Sequence, residues 1–300
     1  MSATGSRPVA VLSAGRLLVV EAPLTLPTWW PQIAPHLPGT AADVVPSRLP
    51  AALTGVVRVP GGLGPQDVRR WLGAHLHRMH LEYGTLCVHA VSLCSPDGGG
   101  AVLLLGGHGA GKTLVALALA GSGWRVLAGD VTLLDCTGPV PAVLGGTTAM
   151  LARRAPTRRW FPDLDLDSVG PPIVDLGGRA ELAVAAPGRP VPVSAVVVAD
   201  VDGDPAASDG AVELLDEHVV ATVWLRASGH LLDRLLAHER DTMPLRSLED
   251  APAARHRLGL IRALTKALPV HALWGSPHAI AARAARLAVD HAEESHDALR

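Results

Sequence analysis

Tyrosine and phenylalanine are nearly missing from this chain. Tyr83 and Phe161 stand alone of their kinds, aromatic residues amount to 3% of the sequence, and seven tryptophans supply the rest. So few flat side chains leave no stacking surface for single-stranded bases. An excess of either charge is missing too: Lys and Arg number 26 against 28 Asp and Glu, for a formal net charge of -2. No basic field draws the chain to nucleic acid. Three cysteines, Cys87, Cys94 and Cys136, fit neither a fully paired disulfide framework nor a clustered zinc site. They are expected as small buried hydrophobes. No uninterrupted apolar run reaches the ~18 residues of a membrane helix. The opening residues lead into no long apolar core with a processing site, so the expectation is a cytoplasmic protein without a membrane partner. No repeat with a period of about 20–50 residues is visible.

What is present reads as globular. The 300 residues are 48% hydrophobic and 18% charged, enough to bury a substantial core in one large domain or two modest ones. The most informative stretch is Ala101-Val-Leu-Leu-Leu-Gly-Gly-His-Gly-Ala-Gly-Lys-Thr-Leu114. Gly106, Gly111, Lys112 and Thr113 fill the fixed positions of the phosphate-binding pattern G-x-x-x-x-G-K-[ST]. The pattern begins where an apolar run of strand length ends, and a helix-forming segment, Leu114–Ala120, follows it. In that context the residues Gly106, Gly107, His108, Gly109, Ala110, Gly111, Lys112 and Thr113 form a cradle. Small residues let backbone N–H groups converge on phosphates, and the N-terminus of the next helix faces the same charge. Lys112 adds a cation, and the Thr113 hydroxyl is a candidate ligand for magnesium.

On either side of the cradle the pattern reads as alternating strands and helices. Val9–Leu12 and Leu17–Val20 are strands joined by a tight turn, and Ala22 to Pro50 is mostly loop with at most a short helix. Within that loop, Trp29 and Trp30 read as a flap over a neighbouring core or as a substrate-facing pair. Leu53–Val59 is another strand. From Pro65 to His80 the apolar residues Val68, Trp71, Leu72, Leu76 and Met79 recur at helical spacing. His75, His77 and His80 on that helix lack an acidic or cysteine partner one turn away, so they are expected as surface or packing histidines. Leu86–Leu93 is a strand carrying His89, and Pro96-Asp-Gly-Gly-Gly100 turns the chain into the Ala101–Leu105 strand. His89 is open to two readings: a hydrogen-bonded histidine within a sheet, or a contact to the transferred phosphoryl group or to a loop carbonyl.

After the helix, Trp124–Ala128 is a strand closed by Gly129-Asp130. A carboxylate there, beside a phosphate loop, is where a magnesium ligand belongs, and Asp130 is preferred over Asp135. Arg153, Arg154, Arg158 and Arg159 form a local basic patch, read either as a phosphate-facing surface or as a solvated one. Asp163, Asp165 and Asp167 read as an exposed edge or turn. Further on, Val193–Ala199 is a strand, Ala211–Leu215 and Val219–Leu225 are expected strands, and Pro269–Trp274 is a strand-like link. Helices are expected at Leu231–His238, Pro252–Leu268 and His278–Glu294.

Taken together, Cys87-Val-His89-Ala, the glycine-rich loop and its helix, Gly123-Trp-Arg-Val-Leu-Ala-Gly-Asp130 and the late Val193–Ala199 strand resemble the HPr kinase/phosphorylase family. More narrowly, they resemble its relatives among bacterial biosynthetic genes. The resemblance is good over Leu86 to Leu134, weak over Val193 to Leu287, and nearly absent from the first eighty residues. It implies an α/β fold: a P-loop kinase core of the HPr kinase / PEP carboxykinase-like type with a mixed central sheet, over residues 81–300. A small N-terminal α+β region would occupy residues 1–80. It also implies ATP and Mg2+, with Lys112, His89 and Asp130 as catalytic residues and Thr113 and Asp130 at the metal. The family's first strand-end aspartate, the base for the acceptor's proton, falls on Gly129. The expected function is an ATP-dependent kinase for a hydroxyl on a peptide, protein or small molecule, with homo-oligomerisation left open. The alternatives are a nucleotide-binding partner or scaffold without transfer, and a triphosphatase switch. Gly129 speaks for the former, while the latter lacks a second switch motif.

Overall fold

A computed structural model describes residues 5–48, 56–179, 182–184, 189–202, 211–238 and 241–297. Part of the expected strand at Leu53–Val59 lies outside these residues.

The chain opens with β1 (Ser6–Ser13) and β2 (Arg16–Pro23), paired antiparallel in the register Ser13↔Arg16. Ala14 and Gly15 between them both have positive φ, the requirement of a two-residue hairpin turn whose twist matches its strands. Then come α1 (Leu26–Ile33), a single 3-10 turn at Ala34–His36, β3 (Ser47–Arg48) and β4 (Val57–Arg58), giving a small sheet ordered β3-β1-β2-β4. Trp30 on α1 is buried and donates Nε1–H to the Ala41 carbonyl at 3.1 Å, the sealing role expected of a flap.

α2 (Pro65–Glu82) starts on a proline, whose missing N–H is no loss in a first turn. Its buried residues Val68, Trp71, Leu72, Leu76 and Met79 recur at three- and four-residue steps and share a core with β1, β2 and α1. That core also takes in Leu232, Leu236 and Leu245 from far along the chain. The α2 histidines are packing residues. His75 lies against Trp71 with ring centroids 3.9 Å apart, and His77 and His80 are both buried. His80 meets Ser13 Oγ at 2.7 Å and Arg16 Nη1 at 2.9 Å.

The central sheet is built from β5 (Thr85–His89), β6 (Val91–Cys94), β7 (Ala101–Leu105), β8 (Arg125–Ala128), β9 (Val131–Asp135) and β10 (Ala142–Gly146), with α3 (Lys112–Gly121) between β7 and β8. The chain continues through β11 (Leu151–Arg153), α4 (Arg154–Trp160), β12 (Ile173–Asp175) and the long β13 (Val191–Val201). It ends with β14 (Val212–Leu214), α5 (Glu217–Gly229), β15 (Leu235–His238), β16 (Asp241–Pro244), α6 (Ala251–Ala267), β17 (Val270–Gly275) and α7 (Pro277–Asp297). Strand order is β5-β9-β10-β13-β7-β6-β8, with β17 beside β13 and β14 beside β17, nine strands among the described residues. β13 runs parallel to β7 and β17, and the other pairs are antiparallel. The protein is therefore an α/β fold with a mixed sheet, its apolar strands buried on both faces as such sheets require.

Three expectations need correction. The Leu86–Leu93 run is two strands: β5 pairs with β9, while β6 pairs with β7 and β8. The chain changes partner at Ala90, whose N–H turns back to the Val88 carbonyl at 2.8 Å. Val219–Leu225, expected as a strand from its β-branched residues, belongs to helix α5. The Asp216 side chain caps its N-terminus by accepting from the N–H groups of His218 and Val219, and Val220, Trp224 and Ser228 are buried at four-residue steps. Capping and burial there outweigh intrinsic strand preference. Leu231–His238, expected as a helix, instead holds strand β15, which pairs with β16.

Candidate functional site

Several elements deliver their ends to one cleft of about 330 Å³. β7 runs out at Leu105 into the glycine loop, and α3 begins at Lys112. The loop has little freedom to be anything but glycine. Gly106, Gly109 and Gly111 have φ of 141°, 90° and 89°, where side chains are strained. A methyl on Gly111 would also come within 2.2 Å of Val201 Cγ2, so the loop lies directly on β13. Gly107, His108 and Gly109 are exposed. Lys112 is buried, and its Nζ donates to the Gly106 and Gly107 carbonyls at 2.9 and 3.3 Å. Burial lowers its pKa, while the nearby Asp130 works to raise it. The Thr113 hydroxyl donates to the Leu151 carbonyl at 2.9 Å, which leaves its lone pairs unengaged.

Register places the other two residues. β5 and β9 pair with His89 opposite Val131, so His89 sits beside the β8–β9 turn that carries Gly129 and Asp130. His89 Nε2 lies 3.3 Å from Asp130 Oδ1. The turn is pinned by Gly129 N–H to the Thr147 carbonyl at 2.9 Å and by Asp130 N–H to Thr147 Oγ1 at 3.0 Å. Burial tends to raise the Asp130 pKa, but the bond from His89 and the charges of His89, His230 and Lys112 outweigh it and hold the carboxyl below its usual value. Lys112, His89, Asp130, Thr113 and the loop residues His108 to Gly111 thus line one cleft. Asp135, the weaker candidate, is not among the lining residues; its carboxylate is spent on the N–H and hydroxyl of Thr137.

Sequence reasoning missed part of this wall. His230 stacks on His89, ring centroids 3.9 Å apart and planes 14° from parallel. Burial first, and then the neighbouring His89, lower its pKa to about 4. Arg69, Arg70 and Arg234 also line the cleft, as does Arg153 from the basic patch. Arg154 of the same patch is tied instead to the carbonyls of Asp167 and Pro171. The signal for Arg69-Arg70 was a charged pair on a helix otherwise read for its apolar face. No sequence signal marks His230, which falls between the strand expected at Val219–Leu225 and the helix expected at Leu231–His238.

Two donor sets could hold a cation. Thr113 and Asp130 offer the oxygens that suit magnesium. Ligand atoms of His89, Asp130 and His230 lie within 4.8 Å of one another, a set that suits a transition metal. Charge weighs against the second set, because among the described residues Asp130 is the one acid lining the cleft against Arg69, Arg70, Lys112, Arg153 and Arg234. A bare divalent ion would meet that excess of positive charge, whereas one arriving with a polyphosphate would not.

No protein-family model and no curated protein matches the chain. Among solved structures it is similar to the Hpr(Ser) kinase/phosphatase from Coxiella burnetii, at 13% identity and a TM-score of 0.29, over 70% of this chain and 98% of that one. The likeness is distant. No described helix is long and apolar enough to cross a membrane.

Proposed function

We propose that this protein is an ATP-dependent phosphotransferase that acts on a hydroxyl of a peptide, protein or small molecule. One observation carries the reading: the glycine loop, Lys112, His89 and Asp130 converge on an open cleft to which Arg69, Arg70, Arg153 and Arg234 add positive charge. The loop suits a polyphosphate, since Gly106, Gly109 and Gly111 hold the positive φ of a tight turn and the first-turn N–H groups of α3 have no partner inside the helix. Thr113 and Asp130 are the residues that would hold magnesium, which supplies charge neutralisation to the phosphates when bound. Lys112, freed from the loop carbonyls, stabilises charge on the transferring group.

In the reaction, the acceptor hydroxyl oxygen forms a new bond to the terminal phosphorus, and the bond from that phosphorus to the nucleoside diphosphate breaks. His89 takes the hydroxyl proton, and the Asp130 carboxylate beside it stabilises the imidazolium that results. Such a reaction depends on positioning and electrostatics more than on a strong base. That matters because Gly129 leaves the other expected base position empty. The test is incubation with labelled ATP and candidate acceptors, followed by mass spectrometry of what gains a phosphate. Transfer by the wild type that disappears in Lys112→Ala supports the proposal, and unchanged transfer in that variant removes it.

Gly129 favours a second reading, a nucleotide-binding protein that transfers nothing. A methyl there would lie 2.2 Å from the Ala149 carbonyl oxygen, so no side-chain base fits at this position. Tight nucleotide binding without any phosphorylated product would select this reading.

A further inference from the structure

The cationic residues of the cleft fall into two groups by what they touch. Arg153 belongs with the glycine loop: a methyl on Gly109 would lie 3.3 Å from its Nη2. Lys112 closes that same loop. Arg69 and Arg70 come instead from α2, and Arg234 from the segment before β15, both elements that share the N-terminal core. Arg234 meets His230 Nε2 at 3.4 Å, His230 stacks on His89, and His89 Nε2 lies 3.3 Å from Asp130, so this second group is joined to Asp130 through contacts that do not involve the glycine loop.

The wall this second group forms is short of negative charge. Arg70 is paired with Asp67 at 2.8 Å, and among the described residues the Arg234 guanidinium reaches His230 Nε2 alone, at 3.4 Å. Arg69 has no hydrogen-bond or ion-pair partner among the described residues. It is partly buried, and burial followed by the charges of Arg70 and Arg234 lowers its pKa, with only Asp130 opposing. His36 across from it has its own pKa lowered by burial and by Arg69. A guanidinium drawn out of water among like charges is unfavourable unless an anion joins it, and its planar fork suits a carboxylate or phosphate. On the kinase reading the nucleotide's phosphates belong to the glycine loop, with Lys112 and Arg153 beside it. The ligand for this wall must therefore be the other substrate.

We propose that the acceptor carries an anionic group beside the hydroxyl it offers, and that Arg69 and Arg234 bind that group. The inference rests on the kinase reading above and adds the substrate's chemical class: a hydroxyl compound or residue bearing a carboxylate or phosphate. Holding the anion on this wall orients the hydroxyl towards Asp130 and His89, and the bonds made and broken are those already given.

The test is calorimetric titration of the full chain, saturated with magnesium and ADP, using paired probes. N-acetylserine against N-acetylserine amide gives the carboxylate arm, and glycerol 3-phosphate against glycerol gives the phosphate arm. At least one anionic probe should bind ten-fold or more tightly than its neutral twin, and the arm that responds identifies the group. Arg69→Gln and Arg234→Gln should each bring that preference below three-fold with ADP affinity within two-fold of wild type, while Arg69→Lys retains it in part. Should Arg69→Gln melt early, Arg234→Gln carries the test alone. Equal binding of both members of both pairs, or a preference that survives both glutamine variants, overturns the proposal. Failure of ADP to bind at all strikes the kinase reading instead, so the two failures are told apart.

Discussion

Replacing Gly129 by alanine should destabilise the protein and disable the cleft at once. The backbone there does not have positive φ, so alanine meets no conformational penalty and the whole effect is one of space. Its methyl would lie 2.2 Å from the Ala149 oxygen, 2.9 Å from the Ala149 carbonyl carbon and 3.0 Å from Met150 Cα. All three are backbone atoms, and they are pinned. Ala149 N–H bonds to the Pro35 carbonyl at 2.8 Å, Met150 N–H to Asp175 Oδ1 at 2.9 Å, and the Met150 carbonyl accepts from Leu176 at 2.8 Å. Relief requires one side to move by about 1 Å, and overpacking of this kind costs roughly 1–3 kcal/mol. In a chain of this size each kcal/mol lowers Tm by about 1.5–2 °C. The control is Gly259→Ala inside α6, where nothing lies within 4 Å of the new methyl. That change should stabilise by up to about 1 kcal/mol through helix propensity alone. Thermal melting followed by circular dichroism reads both variants, and a phosphorylation assay on Gly129→Ala should show at least a ten-fold loss because Asp130 is the next residue. If Gly129→Ala melts with the wild type, the close approach described here is wrong. If Gly129→Asp folds normally and transfers phosphate faster, the position does accept a base.

Acid should destabilise the protein through histidines buried in the neutral form. Burial, the first cause in each, lowers the pKa values of His75, His77 and His230 to about 4 and that of His80 to about 3. Between the unfolded value of 6.5 and these values the unfolded chain binds more protons, so stability is full above pH 6.5 and falls as pH drops towards 4. Both ring nitrogens of His77 are buried without a partner among the described residues, so His77→Leu should flatten that acid limb in urea titrations at little cost at neutral pH. An unchanged limb would refute the assignment. Glu249→Ala should cost about 3–5 kcal/mol in urea unfolding, because it strands the buried Arg257 guanidinium that Glu249 binds at 2.5 and 3.1 Å. A loss below 1 kcal/mol would show that water reaches Arg257 readily.

The parts of the site within one strand–loop–helix unit were legible in the sequence. The spacing of Gly106, Gly111, Lys112 and Thr113 depends on local backbone geometry, and local geometry is what a linear pattern records. His89 and Asp130 were legible as a polar ring and a carboxylate at the ends of apolar runs, but their meeting comes from the pairing of β5 with β9 rather than from a short turn between neighbouring strands. The wall of Arg69, Arg234 and His230 was not, because it forms where α2 meets a segment more than 150 residues later, and no periodicity encodes that meeting. The misreading of Val219–Leu225 has a related cause. Its valines favour a strand, and only the Asp216 cap and the burial of Trp224 against other elements decide for a helix.

The central claim is that the loop from Gly106 to Thr113 grips a polyphosphate through Lys112. Titration of the wild type and of Lys112→Ala with magnesium and ATP, followed by calorimetry, tests it most directly. The account predicts saturable one-to-one binding by the wild type and at least a ten-fold loss in the variant, with both proteins melting at similar temperatures. No binding by the wild type, or equal binding by the two, would contradict it.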